Sequence, residues 1–171
     1  MKWTMLLLLV TSFAWSQEQN STNTTDYNSN YKLRQDRKVG AGLSVGGALG
    51  AAGAIVELNI EDENSALAGF GAGSGYQTVD LAWKRSFEGE YFTPYTTAGY
   101  AHWWNSGTHS DVGRSSLLKN FLTDKQKETN EFGLDLITAS IGMQFNQLSG
   151  DFAGSSFFID FGGLLSVGNT K

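Results

Sequence analysis

Between Lys38 and Val167 apolar residues return at every second position, run after run, and this period constrains the fold more than any other feature of the chain. Val39, Ala41, Leu43 and Val45 alternate with Gly40, Gly42, Ser44 and Gly46; Ala54, Val56, Leu58 and Ile60 alternate with Ile55, Glu57, Asn59 and Glu61. Val79, Leu81 and Trp83 alternate with Thr78, Asp80, Ala82 and Lys84, and Ile137 to Phe145 and Phe157 to Leu165 repeat the pattern. A period of two puts one set of side chains on each face of a β-strand, whereas a helix would scatter them. Turn-forming segments at 47–53, 62–64, 73–75, 88–90 and 148–154 separate the runs. Seven strands follow, near 38–47, 52–61, 65–73, 76–87, 91–104, 131–147 and 155–167, with short connections that make an antiparallel meander. A competing local reading exists for 38–60, because Gly42, Gly46 and Gly50 are spaced as in a glycine-zipper membrane helix.

The identity of the two faces carries the reading further. One face holds Val, Leu, Ile, Phe, Trp and Ala; the other holds mainly Gly, Ser, Thr, Asn, Gln and charged residues, the pattern of an all-β transmembrane barrel with an apolar exterior. Glu57, Asn59, Glu61, Asp80, Lys84 and Asp160 are therefore expected to face the lumen, with Asp80 and Lys84 as a paired network. Phe92 and Trp104 share a face twelve residues apart. At ~3.3 Å per residue they lie about 40 Å apart along the strand, which a tilt of ~40° reduces to about 30 Å of height, near that of an apolar band with a girdle at each border. Phe92 and Tyr95, with Tyr91, are expected at one interface, and Tyr100, Trp103 and Trp104 at the other.

The ends and the charge balance bound the class. The opening MKWTMLLLLVTSFAWSQ has Lys2, an apolar run from Met5 to Val10 and small residues at Ala14 and Ser16. It reads as a signal peptide, 1–16, cleaved after Ser16. Residues 17–37 are polar, rich in Asn, Ser and Thr, and are expected to be disordered; 38–171 form the barrel domain. There is no cysteine, and the formal net charge is −5, so neither a disulfide framework nor a basic nucleic-acid footprint is present. Charged residues are only 17% of the chain, while glycine (21 residues) and aromatics (13%) are abundant, as strands with small inward residues require. Export without cysteine favours a bacterial envelope protein over a small eukaryotic secreted domain, and with the barrel pattern the expected location is the bacterial outer membrane.

The leader, the Gly- and aromatic-rich meander, segments such as TPYTTAGYAHWW and ASIGMQFNQ, and acidic tight turns together resemble the small Gram-negative outer-membrane barrels of the OmpA-like and OmpX-like group. The resemblance implies eight strands, a monomer in contact with outer-membrane lipid and lipopolysaccharide, delivery by the insertion machinery, and no cofactor. Here seven strands are read, and the chain ends at Gly168-Asn-Thr-Lys171 without the terminal aromatic of that group. A closing strand is missing, or Tyr27 to Arg37 supplies it, or the barrel is incomplete. The expected function is structural or surface-interacting, through an external loop at 105–130 that has helical spacing at Leu117, Leu118, Phe121 and Leu122. The enzymatic alternative is a lipid-modifying barrel using His102 or His109 with Ser110 and Asp111. No metal-ligand cluster is visible.

Overall fold

The computed structural model describes residues 11–15, 27–107, 118–129 and 131–170. The chain is all-β, with antiparallel up-and-down strands in one sheet that closes on itself. Seven strands form the meander: β2 (Val39–Val45), β3 (Ala52–Asn59), β4 (Asn64–Gly73), β5 (Tyr76–Ser86), β6 (Phe92–Asn105), β7 (Gly133–Asn146) and β8 (Ser156–Thr170). An additional short strand, β1 (Thr11–Trp15), lies between β2 and β8. The seven agree with the alternating runs to within a few residues, and the strands over 39–45 and 52–59 exclude the zipper helix. No helix among the described residues is long and apolar enough to cross a membrane.

The strand that closes the sheet comes from a place where none was expected. β1 lies inside the leader-like segment and pairs with β2 over Thr11–Trp15, but with β8 only at Ser156, Phe157 and Phe158. Tyr27 to Arg37, the alternative closing strand, instead contains α1 (Asn30–Asp36). This corrects the expectation of disorder for that part of 17–37. Ser29 extends before the helix and accepts from the Lys32 amide, a working N-cap. The helix is too polar to be recognised by apolar periodicity: only Leu33 buries an apolar side chain, and Asn30 and Arg34 are buried beside it.

The barrel has two unlike ends. At the helix end lie α1 and the turns after β3, β5 and β7; at the loop end lie the turns after β2 and β4 and the long connection from β6 to β7. Part of that connection is described, as a 3-10 turn at Leu118–Asn120 and α2 (Asp124–Thr129), a shorter helix than the spacing suggested. Leu118, Leu122 and Phe132 pack with Tyr76, Trp103, Leu134 and Leu136 into a buried apolar cluster over the loop end. A 3-10 turn at Gly47–Leu49 folds under it and points Leu49 into the barrel. Gly53, Gly69 and Gly71 make room, since a Cβ at Gly71 would sit 2.1 Å from the Leu49 carbonyl oxygen.

Candidate functional site

The inward polar side chains of the helix half build one network, centred on Glu57 of β3. Lys84 of β5, almost wholly buried, lies 3.1 Å from the Glu57 carboxylate and donates to Gln144 Oε1 at 2.6 Å. Arg34 enters from α1, donates to Ser86 Oγ at 2.7 Å and to Ser65 Oγ, and comes within 3.5 Å of Glu57. Ser65 Oγ is within hydrogen-bond distance of both Glu57 (2.8 Å) and Asn59 (2.9 Å). One part-buried carboxylate thus faces two buried cations, the pairing under which a buried charge is tolerated. Burial pulls the Arg34 guanidinium below its ordinary value, and the Glu57 charge opposes that pull.

Backbone contacts fix the helix that supplies Arg34. Asn30 donates through Nδ2 to the Phe87 carbonyl at 3.1 Å, and its Oδ1 accepts from the Gly89 amide at 3.0 Å. Asn59 Nδ2 donates to the Arg37 carbonyl at 2.7 Å, and Gln35 donates to Asp62. α1 therefore stoppers the helix end. The loop end is stoppered by Tyr76 stacked on Trp103 with ring centroids 4.9 Å apart, while Trp103 Nε1 and Thr78 Oγ1 both donate to the Ala48 carbonyl at 2.8 Å. Between the stoppers remains a cavity of about 120 Å3. Asp80, Asp160 and Lys84 reach it, Tyr95 donates to Asp160 at 3.1 Å, and Asp80 Oδ1 is buried without a hydrogen-bond partner among the described residues.

Several expected site residues sit elsewhere. Glu61 lies past the end of β3, exposed in the turn, where it accepts from Asn64. Asp80 and Lys84 share the inward face, but four residues along a strand separate them by about 13 Å, so they are not a pair; the partner of Lys84 is Glu57, across the sheet. Glu57, Asn59, Lys84, Asp80 and Asp160 all border the lumen or its two cavities. Tyr95 and Trp103 are buried, not interfacial: each is an odd number of residues from the outward Phe92 and therefore faces in. Lys84 Nζ lies 4.8 Å from the Tyr95 ring centroid, a contact that the aromatic-girdle reading missed.

Outside, Phe92, Tyr91 and Phe145 cluster near the helix end, and Trp104 lies beside Phe70 near the loop end. Next to Trp104 is a polar group on the same outward face. Asp135 of β7 accepts from the Tyr100 hydroxyl at 2.5 Å and lies 2.7 Å from His102 Nδ1, whose ring stacks on Trp104. Residues 108–117, which hold His109, Ser110 and Asp111, are outside the described residues; among the described ones, His102 is joined to Asp135.

No family model matches this chain, and no curated protein or solved structure resembles it at a significant level. The reading of function therefore rests on the chain's own geometry.

Proposed function

We propose that this chain is a small outer-membrane β-barrel with an occluded lumen, exported by its leader and acting as a structural or surface-interaction protein through the loop between β6 and β7. The observation that carries the reading is the outward belt. Val39, Leu43, Val56, Phe70, Leu81, Ile141 and Leu165, from six strands, are each about half exposed or more, while Glu57, Asp80, Lys84 and Asp160 turn inward and the outward charges Arg85 and Asp135 lie near strand ends. A water-soluble monomer rarely leaves so continuous an apolar surface uncovered, and lipid is the solvent that such a belt matches. Sidedness supports it too: three connections at the helix end are short and the longest lies at the other end, as periplasmic turns and an external loop are arranged.

Flotation with lipid vesicles after a carbonate wash tests the reading. The protein should rise with the vesicles; recovery in the soluble fraction would overturn it. One observation favours a second reading, a lipid-modifying enzyme. Asp135 beside His102 resembles the orienting acid and base of a nucleophilic site, placed among interface aromatics where lipid esters lie. Loss of a lipid A modification in His102→Ala cells would favour catalysis, and an unchanged lipid A profile on expression of the wild-type gene would favour the passive barrel.

A further inference from the structure

Under the stopper helix the side-chain hydrogen bonds run in one direction, and they run toward a cavity. Lys84 can only donate, so its 2.6 Å bond fixes the Gln144 oxygen as the acceptor. Gln144 Nε2 must then donate to Asn146 Oδ1, at 2.7 Å, and Asn146 Nδ2 to Thr93 Oγ1, at 2.8 Å. This relay ends on the hydroxyl hydrogen of Thr93, a fully buried residue, which has no acceptor among the described residues. Arg34 leaves a second unused hydrogen. Its terminal nitrogens donate to Ser86 and Ser65, but its Nε is buried with no partner among the described residues, on a side chain only 8% exposed. Arg34, Thr93, Gln144 and Asn146 all border one cavity of about 60 Å3 beneath α1.

We infer that this cavity is a binding site for one small inorganic anion of about the size of chloride, which ties α1 to β6 and β7. The inference does not depend on lipid facing the outer belt. Charge selects the sign of the ligand. Arg37, just past α1, is the second cation on the cavity wall; its Nε donates to the Tyr27 hydroxyl at 3.3 Å, and its guanidinium lies against Gly154, where an added Cβ would meet Cζ at 2.7 Å. The one carboxylate on the wall is Glu57, and it is already shared between Arg34 and Lys84. The walls therefore carry excess positive charge, which an anion balances.

Hydrogen bonding and size narrow the choice. The side-chain carbonyl oxygens of Asn30, Gln144 and Asn146 and both carboxylate oxygens of Glu57 each accept a bond already. A water would bring two more hydrogens into a cavity whose surplus is of hydrogens, whereas a halide only accepts. One water needs roughly 10–15 Å3 of such space, so about 60 Å3 admits a halide or a few-atom oxyanion and excludes anything as large as a sugar. Bound there, the anion would accept from Arg34 on the helix and from Thr93 on the sheet. It would thereby add a bridge to a stopper that buries only one apolar side chain, Leu33, of its own.

Unfolding of the full chain in urea, with sodium chloride replacing sodium gluconate at constant ionic strength, tests this. Fixed ionic strength holds screening constant, and gluconate is too large to enter. The wild-type midpoint should climb with chloride and level off as the site fills. Thr93→Val and Arg34→Lys should each flatten that response whatever they do to the midpoint in gluconate, and Thr93→Ser, which keeps the hydroxyl, should retain it. A wild-type midpoint indifferent to chloride, or a response that survives in Thr93→Val, would overturn the proposal. Bromide located by anomalous diffraction gives a second readout that needs no variant. A peak between Arg34 and Thr93 is expected; peaks at exposed side chains alone would mean an adventitious ion only, and would overturn the site.

Discussion

Glu57 is the residue on which the helix half of the lumen depends. It faces Lys84 and Arg34, and both cations are buried. Glu57→Ala removes the nearest counter-charge of both, and breaking a buried pair from one side typically costs about 3–5 kcal/mol; the urea midpoint of the refolded protein should fall accordingly. Glu57→Leu with Lys84→Met removes the charge of both and should recover much of that loss. A double variant no more stable than Glu57→Ala would mean that Arg34 alone sets the cost. This pairing was not legible in the sequence, because the partners stand on strands β3 and β5 and meet only after both strands have paired with β4. The error over Tyr95 and Trp103 was of another kind. Their odd spacing from Phe92 turns both inward, and aromatic type alone points the other way.

Among the elements, the strands were the most legible and α1 the least. Strands announce themselves by alternation over seven to fifteen residues, whereas α1 has one buried apolar side chain in two turns; its signals were the Ser29 cap and an arginine in a segment otherwise read as solvated. Two predictions belong at this scale. Leu81 stands outward near the middle of β5, so Leu81→Arg should destabilise the protein by about 2–4 kcal/mol in a bilayer if that position is at mid-depth. A cost near zero would argue against lipid contact. Gly71 lies against the backbone of the 3-10 turn, and Gly71→Val should force that turn off the sheet, lowering the melting temperature and releasing Tyr76 and Trp103 fluorescence from its buried environment. A lone leucine within a run of glycine and alanine was the available hint that the turn at Gly47–Leu49 folds inward rather than into solvent.

For the whole molecule, closure at both ends predicts the absence of a steady pore. Inserted into a planar bilayer, the protein should pass no stable single-channel current, and Arg34→Ala alone should not create one, because Trp103, Tyr76 and Leu118 still close the loop end. Reproducible conductance of the wild-type chain would show that a stopper opens. The overall meander was legible from short turns and alternating runs; which segment completes it was not, since five residues beside an apolar run carry no strand signature of their own. The same meander also orders the folding reaction. Each strand from β2 to β8 pairs with its neighbour in sequence and needs only a modest loop, except for the longer one between β6 and β7. The rungs from Ser12 to Phe158 join opposite ends of the chain and pay nearly the whole entropy of ring closure at once. Sheet growth should therefore run quickly from neighbour to neighbour, sealing should be the slow event, and Arg34 can find its seat only after β3, β4 and β5 have assembled the wall that holds Glu57, Ser65 and Ser86.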